Sequence, residues 1–506
     1  MTATTHSDRP VVVLMTTNGW GMGHLSRQLA IALALGDRAE PILLSLSGAV
    51  HHAAALGIRA EYLPSVSRGW LTATRWNEYL CLRLVSLARE VGMRALVFDG
   101  VNPYPGLMEA RRRLPGVVFI WSRRGMWGRA RGASALKGSR EFDVIFEPGD
   151  LGESADEGLT VGRRDAVRLA PVSLLDVIEP LPRAEARTRL GLPADGRVAL
   201  VSLSTIAIDR QELLRRVLGA VLGEPSWHAA VVANPLKPDA GLPPDEPRIH
   251  RIDEVYPLAR YLRAFDAGIV SAGYNSAHEL PLAGVPSLLI ANTDTRWDDT
   301  LSRARGIAER GVALWARDDE PDNVEARTHE LLGPAGQHLE RALMEKDLRQ
   351  LGGAQAAAAL IARAARGAGP DGSRLRSPRR RLQEELRWTA VRIRRAIQAR
   401  PTVHEVVYNT RVLGFKLLRR PLAPPRPRPT YAYVSDGPAA GDGPAPNADR
   451  PDVVLVTERL TREVIAGRGP VEQILPGTTE RYRAERTSIA ERFFPPAGEA
   501  TGRSRG

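Results

Sequence analysis

The sequence predicts an α/β protein built as two successive doubly wound units that face each other across a cleft, with a basic C-terminal extension. Three observations carry this. Short apolar runs alternate with helical stretches, twice over. A proline-marked connection (Pro171, Pro180, Pro182) separates the two sets. In each set a turn of small residues ends one strand and opens a helix, as ligand-binding parallel sheets require.

In the first set, Val11–Met15 reads as a buried strand, followed by the turn Asn18-Gly19-Trp20-Gly21-Met22-Gly23-His24 and a helix from Leu25 to Leu35. Pro41–Leu46, Ala95–Phe98, Val117–Trp121 and Val144–Phe146 are further strands, with helical stretches between. The second set starts at strand Val198–Ser202 and continues through helix Arg210–Leu222 and strands His228–Ala233 and Ile249–Ile252. Helix Pro257–Ala264, strand Ala267–Ser271, helix Ser276–Ala283, strand Ser287–Ala291, helix Asp299–Arg310 and strand Val312–Trp315 follow. One long helical stretch from Val324 to about Ala365 closes it. Residues 1–170 and 171–367 are therefore expected to be two Rossmann-like domains, with 368–430 a basic linker and amphipathic helices, and 431–506 a linker and small segment of no assigned role.

Charge separates the extension from the body. Residues 1–372 balance at 44 basic and 44 acidic side chains, whereas 373–430 carry 16 basic and 3 acidic ones, which accounts for the whole net charge of +12. The excess belongs to an appendage. That appendage lacks interleaved aromatics or a zinc or RNA-recognition motif, so no nucleic acid is expected as partner. Within it Leu382, Leu386, Ala390, Ile393 and Ile397 trace one helical stripe flanked by Arg387, Arg394 and Arg395, the pattern of a helix lying on an anionic membrane. The same stripe could dock on the protein itself. A single cysteine, Cys81, excludes internal disulfides and fits a reducing cytosol. Met1–Pro10 is polar and no run approaches a membrane span, so a cytoplasmic protein is expected, peripheral at the inner face of the plasma membrane at most.

The first turn, with Gly21 and Gly23, could be no more than a tight strand-to-helix connection. His24 at its mouth adds a group suited to general-base work near neutrality. Asp99, ending the strand Ala95–Phe98, could orient it, or could simply form the turn before Gly100. The second turn, Gly273-Tyr274-Asn275-Ser276, offers backbone N–H groups and a helix N-terminus to a diphosphate. Glu279, one turn further, could accept from two vicinal ribose hydroxyls.

The stretch Gly273-Tyr274-Asn275 with Glu279-Leu280-Pro281-Leu282-Ala283-Gly284-Val285-Pro286 is similar to the C-terminal motif of glycosyltransferase family 28, and Gly21-Met22-Gly23-His24-Leu25-Ser26-Arg27 resembles that family's Gly-x-Gly-His turn. The family includes the peptidoglycan N-acetylglucosaminyltransferase, and the bacterial predicted glycosyltransferases with a Gly-Tyr-Asn form resemble this chain more closely still. The resemblance spans about residues 10–365 and implies a GT-B fold, with the acceptor on the first domain and a nucleoside-diphosphate sugar, UDP-linked by analogy, on the second. By position Glu279 would hold the ribose and Gly273, Tyr274, Asn275 and Ser276 the diphosphate, joined by Ser204 and Thr205. The donor-sugar loop would supply Asp294, Asp298 and Asp299, with Thr300 where the family commonly has Gln; Asp298 and Asp299 could instead cap the following helix.

Inverting transfer needs a base for the acceptor hydroxyl, here His24, and positive potential for the leaving diphosphate. No carboxylates stand at metal-ligand spacing, so neither a metal nor another cofactor is expected. Gly21, Gly23, Arg123 and Arg124 would face a lipid-linked or polysaccharide acceptor, although an arginine pair is usually only solvated. The same fold hosts nucleotide-sugar hydrolases and 2-epimerases, and alternatives of another class are a non-catalytic nucleotide-sugar binder or a protein that binds nucleic acid through its basic tail.

Overall fold

The computed structural model describes residues 9–17, 22–66, 72–128, 132–203, 210–232, 246–253, 255–293, 298–346, 348 and 351–369. The basic segment 373–430, residues 431–506, and Gly21, Ser204, Thr205 and Asp294 lie outside them.

The first sheet has seven parallel strands in the order β3-β2-β1-β4-β5-β6-β7. These are β1 Val11–Thr16, β2 Glu40–Ser45, β3 Arg59–Tyr62, β4 Met93–Asp99, β5 Val118–Ser122, β6 Val144–Glu147 and β7 Val167–Arg168. The second has six in the order β10-β9-β8-β11-β12-β13, comprising β8 Arg197–Ser202, β9 Trp227–Val232, β10 Ile249–Ile252, β11 Ala267–Ser271, β12 Ser287–Ala291 and β13 Leu314–Arg317. Central strands read as near-continuous apolar runs because helices cover both faces, and Val12, Val13, Leu14 and Met15 of β1 are all fully buried. In each sheet the strand order reverses beside its first strand, between β1 and β4 and between β8 and β11. Crevices for ligands open at the carboxyl ends of strands flanking such reversals.

The expected closing helix is three helices, Pro321–Leu332, Pro334–Lys346 and Gly353–Ala365. Gly333-Pro334 breaks the first from the second, because proline removes a donor and suits a helix start. Gly352, at φ 64°, takes a left-handed turn immediately before the third. Expected helix Pro257–Ala264 is a 3₁₀ turn over Leu258–Ala264, and the last strand lies two residues beyond its expected place.

The Gly353–Ala365 helix also departs from the expected domain division, since it packs on the first unit. Its Ala354, Ala357, Ala358, Ile361 and Ala365 share one core with Val12, Leu29, Ala32 and Val97. The small-residue stripe lets it lie close to the Gly23–Leu35 helix, and its start is tied down where Ala354 N–H donates to Asp176 Oδ2 at 2.8 Å. A Cβ on Gly353 would run into the carbonyls of Pro171 and Ala170, which are backbone and cannot step aside. Gly353→Ala is expected to cost about 1–3 kcal/mol through overpacking. Gly219→Ala, in a helix with open space at that position, should be neutral or slightly stabilising. Paired denaturant melts check this contrast.

Candidate active site

Strands β1 and β4 lie side by side with Thr16 opposite Asp99, so the helix that follows β1 starts directly over that carboxylate. His24, Arg27 and Gln28 stand at i, i+3 and i+4 of this helix and share one face. All three reach Asp99. His24 Nδ1 is 2.8 Å from Oδ1, Arg27 donates to both oxygens at 2.7 and 2.9 Å, and Gln28 Nε2 donates to Oδ2 at 2.9 Å. Burial alone would push the Asp99 carboxyl up, but Arg27 and His24 outweigh it and hold it well below the usual carboxylate range. Nδ1 also lies 3.1 Å from Arg27 Nη2; in the tautomer that donates from Nδ1 to Asp99, the shorter contact, His24 keeps the Nε2 lone pair free, and the ring is one-fifth exposed. The structure therefore brings together the two residues read as a base and its orienter. Arg27 and Gln28 escape a sequence reading, although two polar residues at that spacing in an otherwise apolar helix are the visible trace.

Across the cleft, Gly273 precedes the Tyr274–Leu282 helix at the end of β11. The helix's first internal bond is Ala277 N–H to Gly273 O, so the amides of Tyr274, Asn275 and Ser276 have no intrahelical acceptor. No side chain caps this end and no acidic residue stands in its first turn. It is an anion-ready helix terminus. Asn275 and Ser276 are half-buried, whereas the Tyr274 side chain is committed elsewhere, so its backbone alone serves the turn. Its hydroxyl donates to Gly149 O at 2.9 Å and accepts from Val172 N–H at 3.0 Å, and the Arg27 guanidinium lies 4.9 Å above its ring. The second glycine-turn motif is thus stacked on the arginine that holds Asp99.

Glu279 is half-buried beside Leu174 and Tyr256. Burial pushes its carboxyl up to about 7, partly offset by the Leu174 N–H. A ribose diol donates to the ionised form, so binding would expel a proton. Nucleoside-diphosphate affinity is expected to rise as pH rises from about 6 to 8, and Glu279→Gln should flatten that slope, as calorimetric titration can measure. The sign for folding is opposite. A pKa raised above the unfolded value contributes stability below about 4.5 that is lost as pH rises through about 7.

The remaining expected donor and acceptor residues build the joint between the units. Asp298 accepts from Arg303 Nη2 at 2.7 Å and, across the cleft, from Arg124 Nη1 at 3.0 Å. Asp299 is the N-cap of the Thr300–Glu309 helix, accepting from Ser302 N–H at 2.9 Å, while its own N–H donates to Met126 O. Thr300 is locked to Asn292, its hydroxyl donating to the carbonyl and accepting from the N–H. Asp298 and Asp299 are therefore satisfied by protein partners, and the helix-capping alternative holds for Asp299. Arg123 corrects the reading of an acceptor contact: it is fully buried and held by Glu147, Asp165 and Ser139. Arg124 does line the inter-unit cleft, but as a partner of Asp298. Gly23 is the first residue of its helix, with open space around its Cβ position.

Three residues carry this joint without any sequence signal. Arg303, fully buried, donates to Asp150 of the first unit at 2.7 Å as well as to Asp298 and the Ala272 carbonyl. His278 accepts from the Leu151 N–H at 2.9 Å. Asp150 is held well below the usual carboxylate range, since Arg303 overcomes the effect of burial. Gly152 and Gly306 make the close approach possible, because a Cβ on Gly306 would sit 2.5 Å from Gly152 O.

Two Rossmann-like units closed on facing strand ends define a GT-B architecture, with a His–Asp pair on one side and an anion-ready turn on the other. No family model matches the chain. A curated relative, the D-inositol 3-phosphate glycosyltransferase of Thermobispora bispora, is 28% identical over 184 residues, which is 33% of this chain and 37% of that protein. The match thus spans little more than a third of the relative's length. A solved structure from Listeria monocytogenes, provisionally named a UDP-N-acetylglucosamine 2-epimerase, aligns with a TM-score of 0.52 at 14% identity, covering 72% of this chain and 98% of its own. The Acinetobacter baumannii MurG structure aligns more loosely, with a TM-score of 0.46 at 16% identity over 70% and 99% of the two chains. The GT-B fold implied by the motif resemblance is the fold of this chain.

Proposed function

We propose that the protein is an inverting, metal-independent glycosyltransferase, moving a hexosyl or N-acetylhexosaminyl group from a nucleoside-diphosphate sugar, UDP-linked by analogy, to a hydroxyl of a lipid-linked or polysaccharide acceptor. The observation that carries it is the His24–Asp99 pair at the reversal of the first sheet, facing the Gly273–Ser276 turn and Glu279 at the reversal of the second. Asp99, ionised and immobilised, fixes the His24 proton on Nδ1. Nε2 then takes the acceptor proton as its oxygen attacks the anomeric carbon from the face opposite the leaving diphosphate. The amides of residues 274–276 receive the charge that develops there, and Glu279 positions the ribose. This division of labour assigns no step to a divalent ion. No described helix is long and apolar enough to cross a membrane, so contact with a lipid-linked acceptor would fall to the basic segment 373–430.

The test is incubation of the full chain with a panel of nucleotide sugars, with and without a lipid and polysaccharide acceptor extract, in EDTA. Acceptor-dependent release of nucleoside diphosphate is expected. Free sugar released equally in both arms would establish a hydrolase, an epimerised donor a 2-epimerase, and stabilisation by nucleotide without turnover a binding protein; each overturns the transfer reading.

A further inference from the structure

A second pocket lies three strands from His24, at the carboxyl ends of β5, β6 and β7. The space within it is about 70 Å³, room for a small head group rather than for a whole ligand. Its floor is Thr160, which is 1% exposed and whose Oγ1 has no hydrogen-bond partner. Gly125 opens this floor: a Cβ there would be 3.6 Å from Asp156 Oδ2 and 3.9 Å from Thr160 Oγ1, so both oxygens face the space that the missing side chain leaves. The wall is rigid, since Asp156 accepts from the Met126 and Gly158 N–H groups at 3.1 and 2.8 Å, and Gly158 packs against Trp127 O.

The charges in the pocket are not all answered. Glu147 is matched by Arg123, and Asp150 by Arg303. Asp156 has only backbone donors, and Glu153 at the mouth is exposed without an ion pair among the described residues. Val161, 51% exposed, forms an apolar lip. Arg168 at the rim lies 4.0 Å from Glu147 and so belongs to the Glu147–Arg123 cluster, and the two carboxylates left unanswered favour a cation with several N–H donors beside an apolar skeleton.

We propose that this pocket binds a primary ammonium group, its N–H donors shared among Thr160 Oγ1, Asp156 and Glu153. Only the identity of the bearer depends on the glycosyl-transfer reading: if that holds, the ammonium belongs to the acceptor, an amine-bearing sugar or headgroup. Met126 lines the pocket and its carbonyl accepts from Asp299 N–H of the second unit, so an occupant sits against the closed joint.

The experiment titrates the full chain, without nucleotide sugar, with glucosamine, N-acetylglucosamine and glucose at pH 6, read by ligand-observed NMR. Glucosamine is expected to bind about tenfold more tightly than either neutral sugar, as charge-assisted hydrogen bonds require. Thr160→Val and Glu153→Gln should each weaken it at least about threefold, the first through its lost acceptor and the second through its lost charge. Equal binding of the three sugars, or glucosamine binding unchanged in both variants, overturns the proposal. Glu153 is exposed, so its variant decides the matter if Thr160→Val does not fold. Nucleotide-induced thermal stabilisation, measured on the same samples, reports separately on the donor site and keeps the two readings distinguishable.

Discussion

Replacing His24 with alanine is expected to lower acceptor-dependent turnover by about 10²–10⁴-fold, the usual contribution of a positioned general base. Donor affinity should change little, because the amides of residues 274–276 and Glu279 lie on the other unit. The loss should therefore fall on kcat, with the KM for donor nearly unchanged. Asp99→Asn is the harsher and less informative variant. It would spoil the His24 tautomer and also leave the fully buried Arg27 facing an amide. His24→Gln, which keeps a polar group of similar reach but cannot take the proton, is the cleaner companion. Steady-state rates with donor and acceptor varied independently check the expectation, and an unchanged kcat for both variants would sink the role of His24.

Arg303→Met is expected to have the largest effect on stability, about 3–5 kcal/mol, because removing one partner strands buried charges that the other cannot neutralise. Here two carboxylates, Asp150 and Asp298, lose their shared cation, and methionine restores only the volume. The pH dependence gives a second check. In the native protein Asp298 is depressed because Arg124 and Arg303 outweigh burial, and Asp150 is likewise held low. Such groups contribute stability above the ordinary carboxylate pKa that is lost only as pH falls through their depressed values. Without Arg303, Asp150 loses its main cation and burial raises it, whereas Asp298 keeps Arg124. The variant's deficit should then grow as pH rises from about 4 to 7, measurable as the difference between paired denaturant melts.

The parallel strands were legible because burial on both faces writes them as uninterrupted apolar runs, as in Ala95–Phe98 and Ser287–Ala291. Strand β3 was not. It reads Arg-Ala-Glu-Tyr, and its Glu61 is buried only because Arg83 from a neighbouring helix pairs with it. The His24–Asp99 pair could be read because both residues end or follow apolar runs that doubly wound sheets place side by side. Arg27 stood only as the last residue of the turn motif that begins at Gly21, and nothing local reveals a carboxylate 72 positions away. The Asp150–Arg303 contact, 153 positions apart, exists only once two folded units meet. Arg123 was misplaced for a related reason: residue type and position show that a group can bind a ligand, but not that the protein has already buried and satisfied it.

The return of the Gly353–Ala365 helix to the first unit has a mechanical consequence. The chain crosses between the units twice, near residues 170–182 and again near 346–353, and the crossings are stitched together where Ala354 and Gln355 donate to Asp176. Two adjacent tethers allow rotation about the line joining them and resist sliding or twisting. Relative motion of the units is thus confined to a swing about that axis, and the Arg303–Asp150 pair stands beside the first tether, where Gly149 N–H donates to Ala170 O. Everything after residue 369 leaves from the His24-bearing body. If the basic segment fastens that body to a surface, the body bearing the Gly273–Ser276 turn is the one left free to swing.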